Sequence, residues 1–111
     1  MKKLFIAMAV AAALAACSWE DMSDYPCPQG GTTLTWDNFG QQFFETYCFQ
    51  CHGGPNGYSS RAFTDHATVQ TEAADIFRNA ARDNTTMPPG PVDPPQDQRY
   101  ELGEWLSCGA P

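Results

Sequence analysis

Three stretches of the chain repeat apolar residues at the spacing of an α-helix. The first covers about residues 36–48, and Thr35 or Asp37 can cap its start. The second covers about residues 68–82 and the third about residues 94–107. Their apolar residues are Trp36, Phe39, Phe43, Phe44 and Tyr47 in the first, Val69, Ala73, Ile76, Phe77 and Ala80 in the second, and Tyr100, Leu102, Trp105 and Leu106 in the third.

The third stretch has recognisable helix ends. Asp93 is a candidate cap, Pro94 suits the first helical position, and Gly109 lies just past the end. No segment of four or more residues alternates cleanly between apolar and polar residues, so we expect no strands. The pattern predicts an all-α domain over residues 35–111. Three such stripes make a limited core, and small domains often need a covalent or cofactor staple.

The N-terminal segment has the pattern of a secretory signal. Lys2 and Lys3 precede thirteen apolar residues, 4–16, a run that is too short to cross a bilayer. The alternative is a buried N-terminal helix, which two leading lysines suit less well. Residues 14–17, Leu-Ala-Ala-Cys, resemble the bacterial lipobox.

The lipobox resemblance implies that residues 1–16 are removed and that Cys17 is lipidated. A membrane-anchored, periplasm-facing protein follows, and Ser18 in place of Asp favours the outer membrane. Several acyl chains would give stable anchoring. The alternative is a plain signal peptide followed by a structural Cys17.

The charge balance is strongly acidic. The formal net charge is −7, and removal of Lys2 and Lys3 leaves four Arg against thirteen Asp and Glu. A nucleic-acid backbone would repel such a chain, so nucleic-acid binding is not expected. Residues 18–34 are acidic, rich in Pro and Gly, and without apolar periodicity. Residues 17–34 are therefore predicted to be a lipidated cysteine with an extended tether.

Residues 48–52, Cys-Phe-Gln-Cys-His, form the C-x-x-C-H pattern of c-type haem attachment. The thiols of Cys48 and Cys51 can add across the two vinyl groups of one porphyrin edge, and the adjacent His52 can ligate the iron. A thioredoxin-like redox pair is one alternative, but it would need a βαβ context and no histidine. The pattern predicts one covalently attached haem c.

A zinc site is the second alternative to haem. It could draw on Cys27, Cys108 and His66 as further ligands. However, the adjacent Cys51 and His52 cannot easily both take tetrahedral positions around one ion. The zinc interpretation is therefore the weaker one.

Two residues are candidates for the sixth iron ligand. Met87 lies in the Met87 loop, residues 84–90 (Asn-Thr-Thr-Met-Pro-Pro-Gly), outside any apolar stripe and stiffened by Pro88 and Pro89. A Met in a core is usually filler, but this one has polar neighbours. His66 precedes the second helix and is the competing candidate. We favour Met87.

Residues 36–109 resemble a small class I cytochrome c. In that family a Gly and an aromatic residue before the first haem Cys cross a C-terminal helix at a Leu and an aromatic residue. Gly40 and Phe44 match the first pair, and Leu102 and Trp105 match the second. The resemblance implies three main helices around one haem, with His52 and Met87 as axial ligands. One departure is Thr64, which replaces a Pro whose carbonyl orients the haem His, so the partner of His52 is left open.

The same resemblance brings the start of the first helix near the end of the third. In an oxidising compartment this implies a disulfide between Cys27 and Cys108. Two free thiols or an intermolecular bridge are the alternatives.

The function implied by the resemblance is electron transfer rather than catalysis. Six-coordinate iron would leave no position for a substrate, and an apolar wall would limit water; its predicted members are Phe39, Phe43, Phe44, Ile76, Phe77, Leu102 and Trp105. The acidic surface suggests redox partners with basic or mixed docking patches. One alternative is a haem-based sensor or small peroxidase-like enzyme with a labile sixth ligand. Another is a haem-free structural lipoprotein held by zinc or disulfides.

Overall fold

A computed structural model describes residues 19–54, 57 and 61–111. The predicted signal segment and Cys17 lie outside these residues. A 3₁₀ turn at Met22–Asp24 and a π-helical turn at Trp36–Gly40 precede five helices. These are α1 (Gln41–Tyr47), α2 (Phe49–His52), α3 (His66–Thr71), α4 (Ala73–Ala80) and α5 (Gln96–Ser107). The described residues are helical and contain no strand, which agrees with the predicted all-α class.

The first predicted helix is the π-helical turn continued directly by α1. Thr35 caps it, because its hydroxyl accepts the Asn38 N–H at 3.1 Å while Asn38 Oδ1 accepts the Thr35 N–H at 2.7 Å. The second predicted helix is two helices, α3 and α4, because the backbone leaves helical geometry at Glu72 (ψ 9°). Asp65 caps α3 through its side chain.

The predicted start of the third helix is wrong by two residues. The helix begins at Gln96 with Pro95 as its N-cap, and Asp93 does not cap it. The reason is steric, since a residue before proline is driven to extended backbone, and Pro94 precedes Pro95. Gly109 follows the helix with φ +89°, as its position in the sequence suggests.

Aromatic side chains of the first predicted helix and of α5 meet in the core. The rings of Phe44 and Trp105 lie 6.3 Å apart, and Trp105 is fully buried. Gly40 lies so close to Trp105 that a Cβ at Gly40 would stand 2.7 Å from the indole. The contact of Gly40 and Phe44 with Trp105 that the family resemblance implies is therefore present. Tyr100, predicted on the apolar face of the third helix, is instead 39% exposed.

The predicted tether is not an extended linker. Residues 20–27, here called the strap, are fastened to the domain. The backbone N–H and carbonyl of Glu20 both hydrogen-bond the Asn84 side chain at 2.8 Å. Tyr25 stacks on Phe77 with ring centroids 6.0 Å apart, and the Arg82 guanidinium lies 3.7 Å from the centre of the Tyr25 ring. Glu20 and Asp21, whose charges predicted a solvated segment, instead form ion pairs with arginines.

The strap's ion pairs reach the second half of the chain. Glu20 lies 3.2 Å from Arg82, and Asp21 lies 3.3 Å from Arg78. Partial burial pushes the pKa of Glu20 up. Hydrogen bonds from Tyr25 and the Asp83 N–H, together with Arg82, outweigh it and hold that pKa below its usual value. The strap is therefore packed against the domain that was predicted to begin at residue 35.

A disulfide closes the far end of the strap. Cys27 and Cys108 are bonded, with Cα atoms 4.6 Å apart. Nearby, the Pro111 carbonyl accepts the Trp36 N–H at 2.7 Å and the Trp105 indole N–H at 3.1 Å. The two ends of the domain are thus joined to each other. Among the described residues, no helix has the length and apolar character needed to cross a membrane.

Candidate functional site

A largely apolar cavity of about 390 Å³ lies between α1, α2, α4 and the Met87 loop. This volume is typical of small-molecule and cofactor sites. The site residues predicted from the sequence and found in its wall are Cys48, Cys51, His52 and Met87. Its other lining residues are Phe43, Phe44, Tyr47, Arg61, Phe63, Asp75, Ile76, Asn79, Ala80, Pro88 and Pro89.

Helix α2 brings the two thiols and the imidazole to this wall. Cys48 ends α1 and begins α2, and its carbonyl accepts the His52 N–H at 2.8 Å. Both Cys48 and Cys51 are free thiols. Burial raises the pKa of the Cys48 thiol to about 12. A redox-active C-x-x-C pair needs a lowered thiol pKa, so this environment does not suit the thioredoxin-like alternative.

Two contacts fix the His52 ring, and both leave its Nε2 free. Its Nδ1 lies 2.7 Å from the Arg61 carbonyl oxygen, and the ring stacks on Phe63 at 4.5 Å. A carbonyl only accepts hydrogen bonds, so Nδ1 carries the proton and Nε2 keeps its lone pair for a metal. The sequence left this partner open at Thr64, and the structure supplies it three residues earlier.

Arg61 is also fixed to α4. Its Nη1 lies 3.2 Å from Asp75 and 3.5 Å from Glu72. The segment whose carbonyl orients His52 is thereby tied to the opposite wall of the cavity. No sequence motif marks Arg61, because its contribution to His52 comes from a main-chain atom.

Of the two candidate sixth ligands, the structure brings only Met87 to the cavity. The Met87 N–H donates to the Asn79 carbonyl at 2.8 Å, which joins the loop to the last turn of α4. His66 is not among the lining residues. Its ring stacks on Trp36 at 5.0 Å, and its Nε2 contacts the Ala110 carbonyl. These contacts keep His66 in the packing around Trp36 and Trp105.

The zinc alternative loses all three of its further candidate ligands in the structure. Cys27 and Cys108 are consumed by the disulfide, and His66 is engaged elsewhere. In the part of the chain that is described, no three His, Cys, Asp or Glu side chains form a group able to hold a metal ion.

A comparison with protein families agrees with this geometry. The family model described as cytochrome c oxidase, cbb3-type, subunit III matches residues 38–106, more than half of the chain. The chain belongs to this family. It is a c-type cytochrome, and the matched range contains Cys48, Cys51, His52 and Met87. No curated protein and no solved structure matches the chain.

The cavity of this cytochrome fits the haem c that its family implies. Two free thiols at C-x-x-C spacing suit the two vinyl groups, and an imidazole nitrogen and a thioether are both iron ligands. The predicted apolar wall is correct only in part. Phe43, Phe44 and Ile76 line the cavity, whereas the other predicted members are buried in the helix core. Those members are Phe39, Phe77, Leu102 and Trp105.

Arg99 of the cytochrome is a residue that the sequence analysis missed. Its side chain is almost fully buried, and Nη1 lies within 3.1 Å of three carbonyl oxygens, including that of Met87. The spacing of Arg99 from the apolar residues of α5 indicates in the sequence that this arginine is buried. Arg99 precedes Leu102 by three positions and Leu106 by seven, so the charge lies on the apolar face of α5.

Proposed function

We propose that this protein is a monohaem c-type cytochrome that carries single electrons between redox partners. Cys48 and Cys51 hold the haem covalently, and His52 and Met87 ligate its iron. The observation that carries the proposal is that all four residues line one apolar cavity. A bound haem c would supply an iron that alternates between the ferrous and ferric states.

Each residue has a definite task in this proposal. The Arg61 carbonyl fixes the ring of His52 and leaves Nε2 available for the iron. Met87 contributes a soft thioether, which favours the ferrous state and raises the reduction potential relative to a second histidine. The aromatic and proline side chains of the cavity exclude water and act in the same direction.

A pyridine haemochrome assay on the purified protein tests attachment. We expect one covalently bound haem per chain. A protein that matures in a cell with cytochrome c assembly and carries none would refute the proposal and favour a haem-free structural role.

Met87→Ala and His66→Ala separate an electron carrier from a sensor or enzyme. Met87→Ala should abolish the far-red charge-transfer band, lower the midpoint potential and allow the ferrous protein to bind carbon monoxide. His66→Ala should leave all three unchanged, because His66 lies away from the cavity. If the wild type already binds carbon monoxide strongly at neutral pH, the sixth position is labile and the carrier proposal fails.

We propose that a lipid anchor at Cys17 holds the protein at the outer membrane, facing the periplasm, and the docked strap limits how far the domain could then lie from the bilayer. Two residues lie between Cys17 and Glu20, and the three steps along the chain from one to the other span at most about 11 Å. A lipid anchor at Cys17 would therefore hold the domain close to the bilayer. Trp19, 66% exposed, belongs to a residue type enriched at membrane interfaces.

Cys17→Ser tests the anchor. In a cell with normal lipoprotein processing, the variant should become soluble or remain uncleaved. Wild-type protein that washes off the membrane with salt alone would exclude a lipid anchor.

The acidic surface supports redox partners with basic or mixed docking patches. Each of the four Arg lies within 4.0 Å of a carboxylate. Among the described residues the Asp and Glu outnumber these arginines, which leaves a surplus of negative charge. Association rates with such partners should fall as salt increases.

A further inference from the structure

The backbone of Met87 is held from two helices at once. Its N–H donates to the Asn79 carbonyl of α4 at 2.8 Å. Its carbonyl accepts from Arg99 Nη1 of α5 at 2.9 Å. Met87 is also one of the residues that line the cavity.

The same guanidinium joins three separate points of the chain. Nη1 of Arg99 lies 2.8 Å from the carbonyl of Ala80, 3.1 Å from that of Asn84 and 2.9 Å from that of Met87. Ala80 is the last residue of α4, where the carbonyls lack helical partners and a cation is favoured. The loop from the end of α4 to Met87 is therefore gathered around one buried cation.

Burying this charge is unfavourable unless its donors are satisfied. Desolvation lowers the pKa of Arg99, while Asp93, 4.0 Å away, counteracts that effect. A side chain that only filled space at this position of α5 would be apolar, as Leu102 and Leu106 are. The contacts with the loop explain why a planar donor of several hydrogen bonds stands there instead.

We propose that Arg99 is the positioning residue for Met87, and that its buried guanidinium keeps the Met87 loop closed so that the thioether stays at the sixth position. This inference rests on the proposed function for its effect at the iron. Its effect on the loop does not depend on haem.

The test compares three variants of the full-length protein. Arg99→Gln removes the charge and the fork of donors, and Arg99→Lys keeps the charge with donors on one nitrogen. Arg78→Gln is the matched control, because Arg78 is an exposed arginine of α4 that pairs with Asp21 and Asp75. The measurements are hydrogen exchange of the amides in residues 84–90, the far-red band and carbon monoxide affinity of the ferrous protein.

Arg99→Gln should speed exchange in the loop about ten-fold or more and raise carbon monoxide affinity by a similar factor, with a weakened far-red band. Arg99→Lys should lie between this variant and the wild type, and Arg78→Gln should stay within about two-fold of the wild type. Central amides of α5 should exchange as in the wild type. If Arg99→Gln fails to fold, the exchange of the loop amides relative to the α5 amides in Arg99→Lys tests the proposal in its place.

Two results would overturn the proposal. One is a folded Arg99→Gln protein whose loop exchange and carbon monoxide affinity equal those of Arg78→Gln. The other is an equal rise of exchange in the loop and in α5, which would mean a general structural role. A wild type without a far-red band would refute Met87 ligation instead, and the loop exchange would still decide the role of Arg99 in the loop.

Discussion

Gly40 and Gly103 offer a matched test of how closely the helices approach. An added Cβ at Gly40 would stand 2.7 Å from Cζ2 of Trp105 and 3.0 Å from Cε3 of Trp36. At Gly103 it would stand 2.8 Å from Cγ of Arg82. Carbon atoms in comfortable contact lie about 3.5–4.0 Å apart. Each substitution by Ala therefore requires a displacement of close to 1 Å.

The two neighbours differ in their ability to move. Trp105 is fully buried, and its indole N–H donates a hydrogen bond to the Pro111 carbonyl, so the ring cannot move without disturbing its neighbours. The Arg82 side chain is 24% exposed, and although Glu20 and Tyr25 contact its guanidinium, its methylene groups can adjust more easily than a buried indole. Overpacking of a rigid core costs about 1–3 kcal/mol. Replacing a helical Gly by Ala favours the helix by roughly 1 kcal/mol. This contribution to the free energy of unfolding is the same at both sites and cancels in the comparison.

Gly40→Ala should consequently be less stable than Gly103→Ala by about 1–2 kcal/mol. For a domain of this size, each kcal/mol corresponds to roughly 4–8 °C in Tm. Thermal unfolding of the two holoproteins, followed by circular dichroism at 222 nm, measures the difference. A Gly103→Ala protein that melts at or below the temperature of Gly40→Ala would refute the reasoning. Gly40→Ala should also cost less in a Trp105→Leu background, where the clash with the indole of Trp105 is removed and only the contact with Trp36 remains.

Three further predictions concern attachment, the disulfide and a helix cap. Cys48→Ala together with Cys51→Ala should abolish covalent haem and leave the domain largely unfolded; a compact, protease-resistant domain would contradict this. Cys27→Ser with Cys108→Ser should lower the free energy of unfolding by at most about 4–5 kcal/mol, measured by urea titration, because the bridge closes a loop of 81 residues. Hydrogen bonds from the Thr68 N–H and hydroxyl lower the pKa of Asp65 below that of an ordinary Asp carboxyl. The ionised carboxylate therefore stabilises the folded state above the unfolded-state pKa, and this stabilisation is lost as pH falls through the folded-state pKa. From pH 5 to pH 3 the wild type should therefore lose more stability than Asp65→Asn, and equal losses would exclude this cap as the cause.

The chemistry of the site could be predicted from short local patterns. The order Cys48, Cys51, His52 brings thiols and imidazole together within one helical turn, whatever the rest of the chain does. Periodicity likewise identified the buried faces, since Val69, Ile76 and Phe77 are all in the core. Met87 was favoured because a Met between polar residues and prolines is poorly explained as core filler.

Interactions between distant segments could not be predicted in this way. The acidic composition of residues 18–34 indicated a solvated tether, yet Glu20 is held by Asn84 and Arg82 across more than sixty residues. The partner of His52 is a main-chain carbonyl, and main-chain atoms carry no sequence signal. Helical periodicity also does not locate the start of α5. Pro94 and Pro95 move that start two residues along the chain, to Gln96.

The atoms that could hold a haem can be read from the sequence, because residue type and spacing along one turn are local properties. Which of the two candidate sixth ligands reaches the cavity depends on the tertiary fold. Met87 and His66 are both plausible iron ligands, and the choice depends on what holds each of them. Trp36 and the Ala110 carbonyl hold His66, while the Asn79 carbonyl and Arg99 hold the Met87 backbone beside the cavity. These contacts join residues far apart in the chain, so only the packed fold could bring them together.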